Sequence, residues 1–480
     1  MELILDKSVQ GRKGIMFPPV DVPPAEKLDE KYLRALGAEL PSVSEPEVVR
    51  HFTNLSRLNF GVDSNFYPLG SCTMKYNPKF TERIASSERF TSLHPLAPQL
   101  VEGARLTQGA LEVISNLEKV LSEITGMDAF TTQPAAGAHG ELTGVMLIAA
   151  YHRHNANKKK HILIPDSGHG TNPATAATAG YTVKTIRSDD NGVMDINEFK
   201  RTLNEDTAAV MLTCPNTLGV FNPHIKEICD LAHEAGALMY YDGANLNAIL
   251  GKVRPGDIGF DVVHLNLHKT FATPHGGGGP GSGPVGVKKE LVPFLPIPRV
   301  RKTKEEMFEL DFEEPLSIGY ISPFYGNFAV MLKAYAYILL LGKNGLVEVS
   351  ENAVLNANYL KHHLSKYYET PYPKNCLHEF VISASRQAKK GVHAIDIAKA
   401  LIDKGIHPPT VYFPLIVKEA MMIEPTETES KETLDKFIEV MANLARLAEK
   451  DPKIFKTFPK TTPVSRLDEV KAAKDMNIAG

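Results

Sequence analysis

The stretch HLNLHKTFATPHGGGGPGSG, His264 to Gly283, sets one lysine, Lys269, between a short apolar run and a chain of glycines. A lysine in such a setting serves phosphate binding, serves covalent catalysis, or is a surface charge beside a loop. A Walker-type phosphate loop puts its lysine after the glycines and directly before Ser or Thr, whereas here the lysine precedes them. A dinucleotide fingerprint fails as well, because Pro280 and Pro284 interrupt any helix that would receive a pyrophosphate. For a lone lysine the default is a strand end in a solvent-facing turn. The context moves the reading toward covalent chemistry. A lysine that ends a strand beside histidines, followed by pliable backbone, has what a Schiff-base lysine needs, since it must reach an aldehyde and later swing aside.

If that aldehyde belongs to pyridoxal 5'-phosphate, three further groups are required. An acid must sit beside the pyridine nitrogen to keep the ring protonated, and Asp242 in YYDGAN follows the preceding apolar run. A cradle of backbone N–H groups at a helix start must hold the phosphate, and TTQPAAGAHGELTG offers Ala136, Gly137 and Ala138. A flat group must cover the ring, for which His169 in SGHGTNP is the candidate. Each has an ordinary alternative: Asp242 as a turn residue, PAAGA as a tight helix start, His169 as a hydrogen-bonded loop histidine. Taken singly, the ordinary readings are at least as good. Taken in the order phosphate loop, ring-covering residue, acid, lysine, they favour cofactor binding.

Elements that would position these residues are legible around them. Short runs rich in β-branched or aromatic residues (HILIP, AAVMLT, ALMYY, VVHLNL, GPVGV) alternate with amphipathic stretches, which predicts a mostly parallel sheet with crossover helices. The polar clusters after these runs should then converge on one sheet edge. Leu111, Ile114, Leu117, Leu121 and Ile124 recur at helical spacing before Gly126. In DINEFKRTLNE, Asp195 can cap a helix and Glu198 can complete a capping box. HIKEICDLAHEAG is a further helix, closed by Gly236. Residues 1–100 are proline-rich and read as an arm or wrapping segment, 101–327 as a large domain, and 328–480 as a long linking helix followed by a smaller α+β domain.

Composition bounds the function. With 480 residues, 43% hydrophobic and 23% charged, and a formal charge of −3, the chain is a soluble globular type with no special attraction for nucleic acid or membrane. Its four cysteines, Cys72, Cys214, Cys229 and Cys376, lack metal-ligand spacing, so neither a zinc site nor a disulfide framework is expected and a reducing, cytoplasmic setting fits. Glu2, Asp6 and Lys7 interrupt any signal-peptide core, and the longest apolar stretches, such as YAYILLL, are too short to span a bilayer.

The motifs FYPLGSCTMKYNP, HPLAPQL, QPAAGAHGE, DSGHGTNPA, CPNTLGVF, YDGANLNA, SIGYISPFYGN and HPPTVYFPLIVKEAMMIEPTETESKETLD, with the lysine stretch itself, resemble the P-proteins of the glycine cleavage system over nearly the whole chain. The resemblance implies an α/β protein of fold type I, aspartate aminotransferase-like, using pyridoxal 5'-phosphate. Lys269 would carry the cofactor and Asp242 would pair with the ring nitrogen. His169 would stack on the ring, with His139 and His268 as competitors. Ala136, Gly137 and Ala138 would bind phosphate, Asn216 or Thr217 would lie near the phenolic oxygen, and His268 would stand beside the lysine. It further implies glycine decarboxylation, with the aminomethyl group passed to the lipoyl arm of the H-protein. A partner chain, subunit 1, would complete a heterotetramer of two of each. The rivals are another fold type I decarboxylase or lyase acting on a free substrate, and a scaffold subunit without turnover. Gly276 to Gly279 form either a mobile rim for an incoming arm or a close backbone approach in a tight turn. Cys72 is expected to be a small buried cysteine and not a reactive thiol. The acidic run near the C-terminus reads as a solvated helix start, with carrier docking as the minority reading.

Overall fold

The computed structural model describes residues 2–23, 28–97, 102–276, 279–322, 325–372 and 375–476, so Gly277 and Gly278 of the expected rim lie outside the described residues. The chain divides into two compact units, Met1–Gly61 with Pro459–Gly480, and Val62–Phe458. In the first, the helix Glu45–Ser56 begins at Ser44, whose backbone N–H and hydroxyl both donate to Glu47 at 2.8 Å. Ile15, Met16, Phe17 and Val20 of that unit are exposed.

The second unit is built on a seven-stranded sheet. Its strands are β1 (Ala129–Thr131), β2 (His161–Pro165), β3 (Thr182–Ile186), β4 (Thr207–Leu212), β5 (Leu238–Gly243), β6 (Val262–Leu265) and β7 (Val285–Val287), in the order β1-β7-β6-β5-β4-β2-β3. The five strands from β3 to β6 run parallel, and β7 and β1 close one edge antiparallel. Burial explains why the central strands read as continuous apolar runs. Along β5, Met239 and Tyr241 enter the core on one face and Tyr240 enters the core on the other, the period-two alternation of a strand covered on both sides. The helix Gln108–Thr125 buries Leu111, Ile114, Leu117 and Leu121, and Gly126 ends it at φ 74°.

Two expected details differ. Asp195 does cap the helix Ile196–Thr202, accepting from the N–H groups of Asn197 and Glu198. Glu198 does not complete a capping box, because its carboxylate accepts from the Arg187 N–H at 3.1 Å and the Asp195 N–H goes to the Arg187 carbonyl. The expected long helix spans Phe328–Leu364 but breaks at Gly342, where φ is 58° and ψ −170°. Residues 328–341 therefore cover only about 21 Å, short of the ~30 Å hydrocarbon core of a bilayer.

Past the antiparallel hairpin of β8 (Arg299–Lys302) and β9 (Phe308–Asp311), a second, three-stranded sheet contains β10 (Phe380–Ser383), β11 (Thr410–Val411) and β12 (Ala420–Ile423), ordered β10-β12-β11. One face packs Ile382, Met421 and Ile423 against the helices Ala394–Ile402 and Lys431–Lys450. The other meets Leu218 from the loop after β4. Leu69 bridges to Ile423, and the Gly70 N–H donates to the Met422 carbonyl at 3.2 Å, so residues 69–70 extend this small sheet.

Two backbones nearly touch where the helix Gly137–His154 begins. A Cβ on Gly140 would lie 2.3 Å from the Gly283 carbonyl oxygen, and one on Gly283 would lie 2.1 Å from the Ala136 carbonyl oxygen. Both contacts are to backbone, which cannot rotate away. Gly283→Ala is expected to lower the unfolding free energy by about 2 kcal/mol or more, measured by denaturant titration. An unchanged midpoint would show that this approach is not tight.

Candidate functional site

The loops after β2, β4, β5 and β6 meet at the carboxyl edge of the parallel strands around a cavity of ≈ 320 Å³. Lys269, Asp242, His169, His268, Asn216, Thr217, Gly137 and Ala138 all line it. Ala136 stands just behind, as the residue before the helix Gly137–His154, its carbonyl accepting the Gly140 N–H at 2.9 Å.

Asp242 ends β5 and is 3% exposed. Burial pushes its carboxyl pKa up, but its neighbours more than offset this and hold it below the usual carboxylate value. His264, its register partner on β6, places Nε2 3.4 Å from Oδ1. Asn172 Nδ2 donates to Oδ2 at 2.9 Å, and the Ala244 N–H donates to Oδ1 at 3.1 Å. The result is a buried, oriented, ionised carboxylate. Behind it, buried Glu141 accepts from Asn172 Nδ2 at 3.0 Å and Thr171 Oγ1 at 2.7 Å.

Lys269 follows β6 and is 9% exposed, its Nζ donating to the Ser71 carbonyl at 2.9 Å. Ser71 is a non-glycine residue at φ 64°, a conformation few side chains adopt. Its N–H donates to Glu379 Oε2 at 2.7 Å. Cys72 also lines the cavity, and burial, with Lys269 working against it, pushes its thiol up, so it stays protonated.

Of the three competing histidines, His169 and His268 reach the cavity and His139 does not. His139 Nδ1 instead accepts the Ala135 N–H at 3.3 Å. His169 Nδ1 lies 2.8 Å from Thr171 Oγ1, and its ring meets Phe413 edge-on at 5.8 Å. Burial, helped by the positive charge of Lys269, holds His169 below its ordinary pKa, and the same two causes bring His268 to about 4, so both rings are neutral. Asn216 and Thr217 use their side chains to brace their loop internally and to tie it to neighbouring loops. Asn216 Nδ2 donates to the Gly192 carbonyl, its Oδ1 accepts from the Leu218 and Val220 N–H groups, and Thr217 Oγ1 donates to the Ser167 carbonyl at 2.7 Å.

The helix start fits an anionic group. First-turn N–H groups of a helix have no intrahelical acceptor, and here those of Gly137 and Ala138 border the cavity. A Cβ on Gly137 would sit 2.4 Å from Asn266 Oδ1, a buried oxygen with no protein donor, so glycine is needed there for Asn266 to approach. A neutral ring, an ionised acid, a buried amine and an N–H cradle around one cavity are the donor set a pyridoxal phosphate asks for.

Several residues of the site gave no signal in the sequence. Glu424 and Glu427 lie in the run expected to be solvated, yet Glu424 is fully buried and the Glu427 side chain is only 8% exposed. Glu427 pairs with Lys75 at 2.6 Å, and Glu424 Oε1 accepts from Thr73 Oγ1 at 2.6 Å and Asn245 Nδ2 at 3.0 Å. Glu379 and His378, at the start of β10, arrive from the small sheet, and nothing local marks them.

The sequence matches the family described as glycine dehydrogenase, C-terminal domain, over residues 349–453, and that described as aminotransferase class-V over residues 139–294. A probable glycine dehydrogenase (decarboxylating) subunit 2 from Listeria monocytogenes is 56% identical over 99% of this chain and 97% of its own length. One of the same description from Caldanaerobacter subterraneus is 57% identical over 98% and 97%. Among solved structures, an inhibitor-bound glycine decarboxylase (P-protein) of the glycine cleavage system aligns at a TM-score of 0.70 with 21% identity, covering 90% of this chain and 92% of that one. An apo cysteine desulfurase from Thermococcus onnurineus aligns at 0.60 with 16% identity, covering 80% and 95%. These structural likenesses establish the shared fold.

Burial, reinforced for Glu379 by the charge of Glu424, raises Glu379 to about 8 and Glu424 to about 7. Both values lie above those of the unfolded chain, so the stability these carboxyls contribute is complete below ordinary carboxylate values and is lost as pH rises through 7 to 8. Thermal unfolding across that window is expected to show a falling midpoint, with a flatter dependence in Glu379→Gln. An identical slope in the variant would remove Glu379 from the account.

Proposed function

This chain belongs to the family of glycine dehydrogenase (decarboxylating) subunits 2, and from that premise we propose that it decarboxylates glycine and passes the aminomethyl group to the lipoyl arm of an H-protein. Carbon dioxide is released, the disulfide of the arm is opened, one sulfur takes the carbon and the other leaves as a thiol. The observation that carries the reading is the convergence of buried Lys269, just beyond β6, and ionised Asp242, near the end of the adjacent parallel strand β5, in one cavity with a helix start. Pyridoxal 5'-phosphate, when bound, supplies an electron-withdrawing ring that accepts the electron pair left by the departing carboxylate.

The chain's own residues make that chemistry possible. Lys269 binds the aldehyde, and the Ser71 carbonyl holds its nitrogen at the cavity wall beforehand. Asp242 keeps a proton on the ring nitrogen, which requires its carboxylate to stay charged in a dry place, and His264 and Asn172 secure that. His169 would cover the ring as a neutral, flat group that does not oppose the ring's positive charge. The Ala136–Gly137–Ala138 turn would receive the phosphate, Asn216 and Thr217 would face the phenolic oxygen, and His268 would flank the lysine.

The assignment as subunit 2 carries with it a partner subunit 1, in a heterotetramer of two of each. A cytoplasmic setting accords with four cysteines that are all free. The three-part division at residues 100 and 327 belongs to the same reading.

Exchange of labelled bicarbonate into the carboxyl group of glycine, with lipoylated carrier and with or without subunit 1, tests the proposal. Lys269→Ala is expected to abolish exchange and the visible absorbance of the bound cofactor. Asp242→Asn is expected to slow exchange by about 100-fold, equivalent to ~2.7 kcal/mol of barrier. Undiminished exchange in Lys269→Ala would make the chain a scaffold. A cofactor-loaded protein that never exchanges would act on another amino acid.

A further inference from the structure

We propose that Glu379 and Glu424 work as one carboxyl pair that takes the proton Lys269 must lose before its nitrogen can attack an aldehyde, and returns it when that nitrogen is released. In the forward direction an N–H bond of the ammonium breaks and an O–H bond forms on the pair. The pair then holds two protons while Lys269 is a neutral amine, and one while it is an ammonium. This rests on Lys269 being the cofactor lysine.

Geometry supports the pair. Glu379 is 4% exposed and Glu424 0%, and a carboxylate oxygen of each lies within 4.8 Å of the other and of a ring nitrogen of His378. Two carboxylates within 4.8 Å of each other in a dry site do not both ionise readily, so the pair keeps a proton. Their environments differ. Glu424 Oε1 accepts from Thr73, Asn245 and, at 3.3 Å, Asn247, which suits the charged member. Glu424 Oε2 is buried without a protein donor, as an oxygen facing a shared proton would be. Glu379 has the Ser71 N–H as its donor and lines the cavity with Lys269. Ser71 thus holds both ends, its carbonyl on Lys269 Nζ and its N–H on Glu379.

The other titratable groups facing the pair leave Lys269 as its balancing charge. His378 Nε2 is 3.7 Å from Glu379 Oε1, but burial and Lys269 push it down to about 3, so it is neutral. Cys72 stays a thiol, and Glu427 is neutralised by Lys75. While Lys269 is an ammonium, one proton on the pair makes the site neutral. Once Lys269 is discharged, the remaining negative charge has no partner, and neutrality returns only with a second proton.

Infrared spectroscopy of the full chain without cofactor reads these protons through the carbonyl band of protonated carboxylic acids. At neutral pH, Glu379→Gln and Glu424→Gln are each expected to lack one protonated carboxyl relative to wild type, and Lys269→Met to gain one. Unchanged amide bands would establish that the variants fold. A wild-type spectrum lacking the band, or a Lys269→Met spectrum without gain, would overturn the proposal, as would one metal ion per chain in place of the proton. Absorbance on adding pyridoxal phosphate then times Schiff-base formation. Glu379→Gln is expected to slow it at least ~10-fold, with recovery in Glu379→Asp. Equal rates in wild type and Glu379→Gln would sink the exchange role. Failure of any variant or wild type to form the Schiff base would instead count against the cofactor reading, leaving the infrared result standing.

Discussion

A carboxylate at the end of a buried strand stays charged only where the fold delivers donors to it, and much of this molecule serves that end for Asp242. Parallel pairing of β5 with β6 puts His264 opposite Asp242 by register alone. The helix start after β2 brings Asn172, and Glu141 on a different helix fixes Asn172 in turn. Four stretches of chain distant in sequence are thereby committed to one oxygen pair. Without them burial would win, and the acid would be neutral where a charge is required.

The second demand is closeness. A helix can point its N–H groups into a cavity only if its first turn presses against the sheet, and side chains would hold it off. Gly137, Gly140 and Gly283 remove that obstacle where Asn266 and the Ala136 and Gly283 carbonyls occupy the space of a Cβ. On the far side, Leu218 and the Gly219 carbonyl, which accepts the Leu377 N–H at 2.9 Å, dock the loop after β4 onto the small sheet. The cavity walls are thus set by backbone contacts more than by long side chains.

Much of this was legible beforehand because it is local. Apolar runs of strand length and glycines after helical stripes located the parallel strands, and polar clusters after those runs located Lys269, Asp242 and His169. Contributions that arrive from distant chain were not legible. Glu424 sits in an acidic stretch that looks solvated, and only the fold reveals Thr73 and Asn245 meeting it. Likewise, composition could not foresee that Glu198 would turn to Arg187, or that Gly342 would break an otherwise continuous apolar helix. Asn216 and Thr217 were named through the family resemblance, and their side chains bond backbone groups of their own and neighbouring loops, a use that spacing does not encode.

The attachment of residues 69–70 to β12 has a mechanical meaning. Ser71, the residue that grips Lys269, directly follows the bridge of Leu69 to the small sheet, whereas Lys269 follows β6 of the large one. The two ends of that hydrogen bond are tethered to different sheets. Any swing of one sheet against the other would stretch or release the lysine directly, without a separate trigger. The grip on the amine and the aperture of the cavity would then be a single degree of freedom.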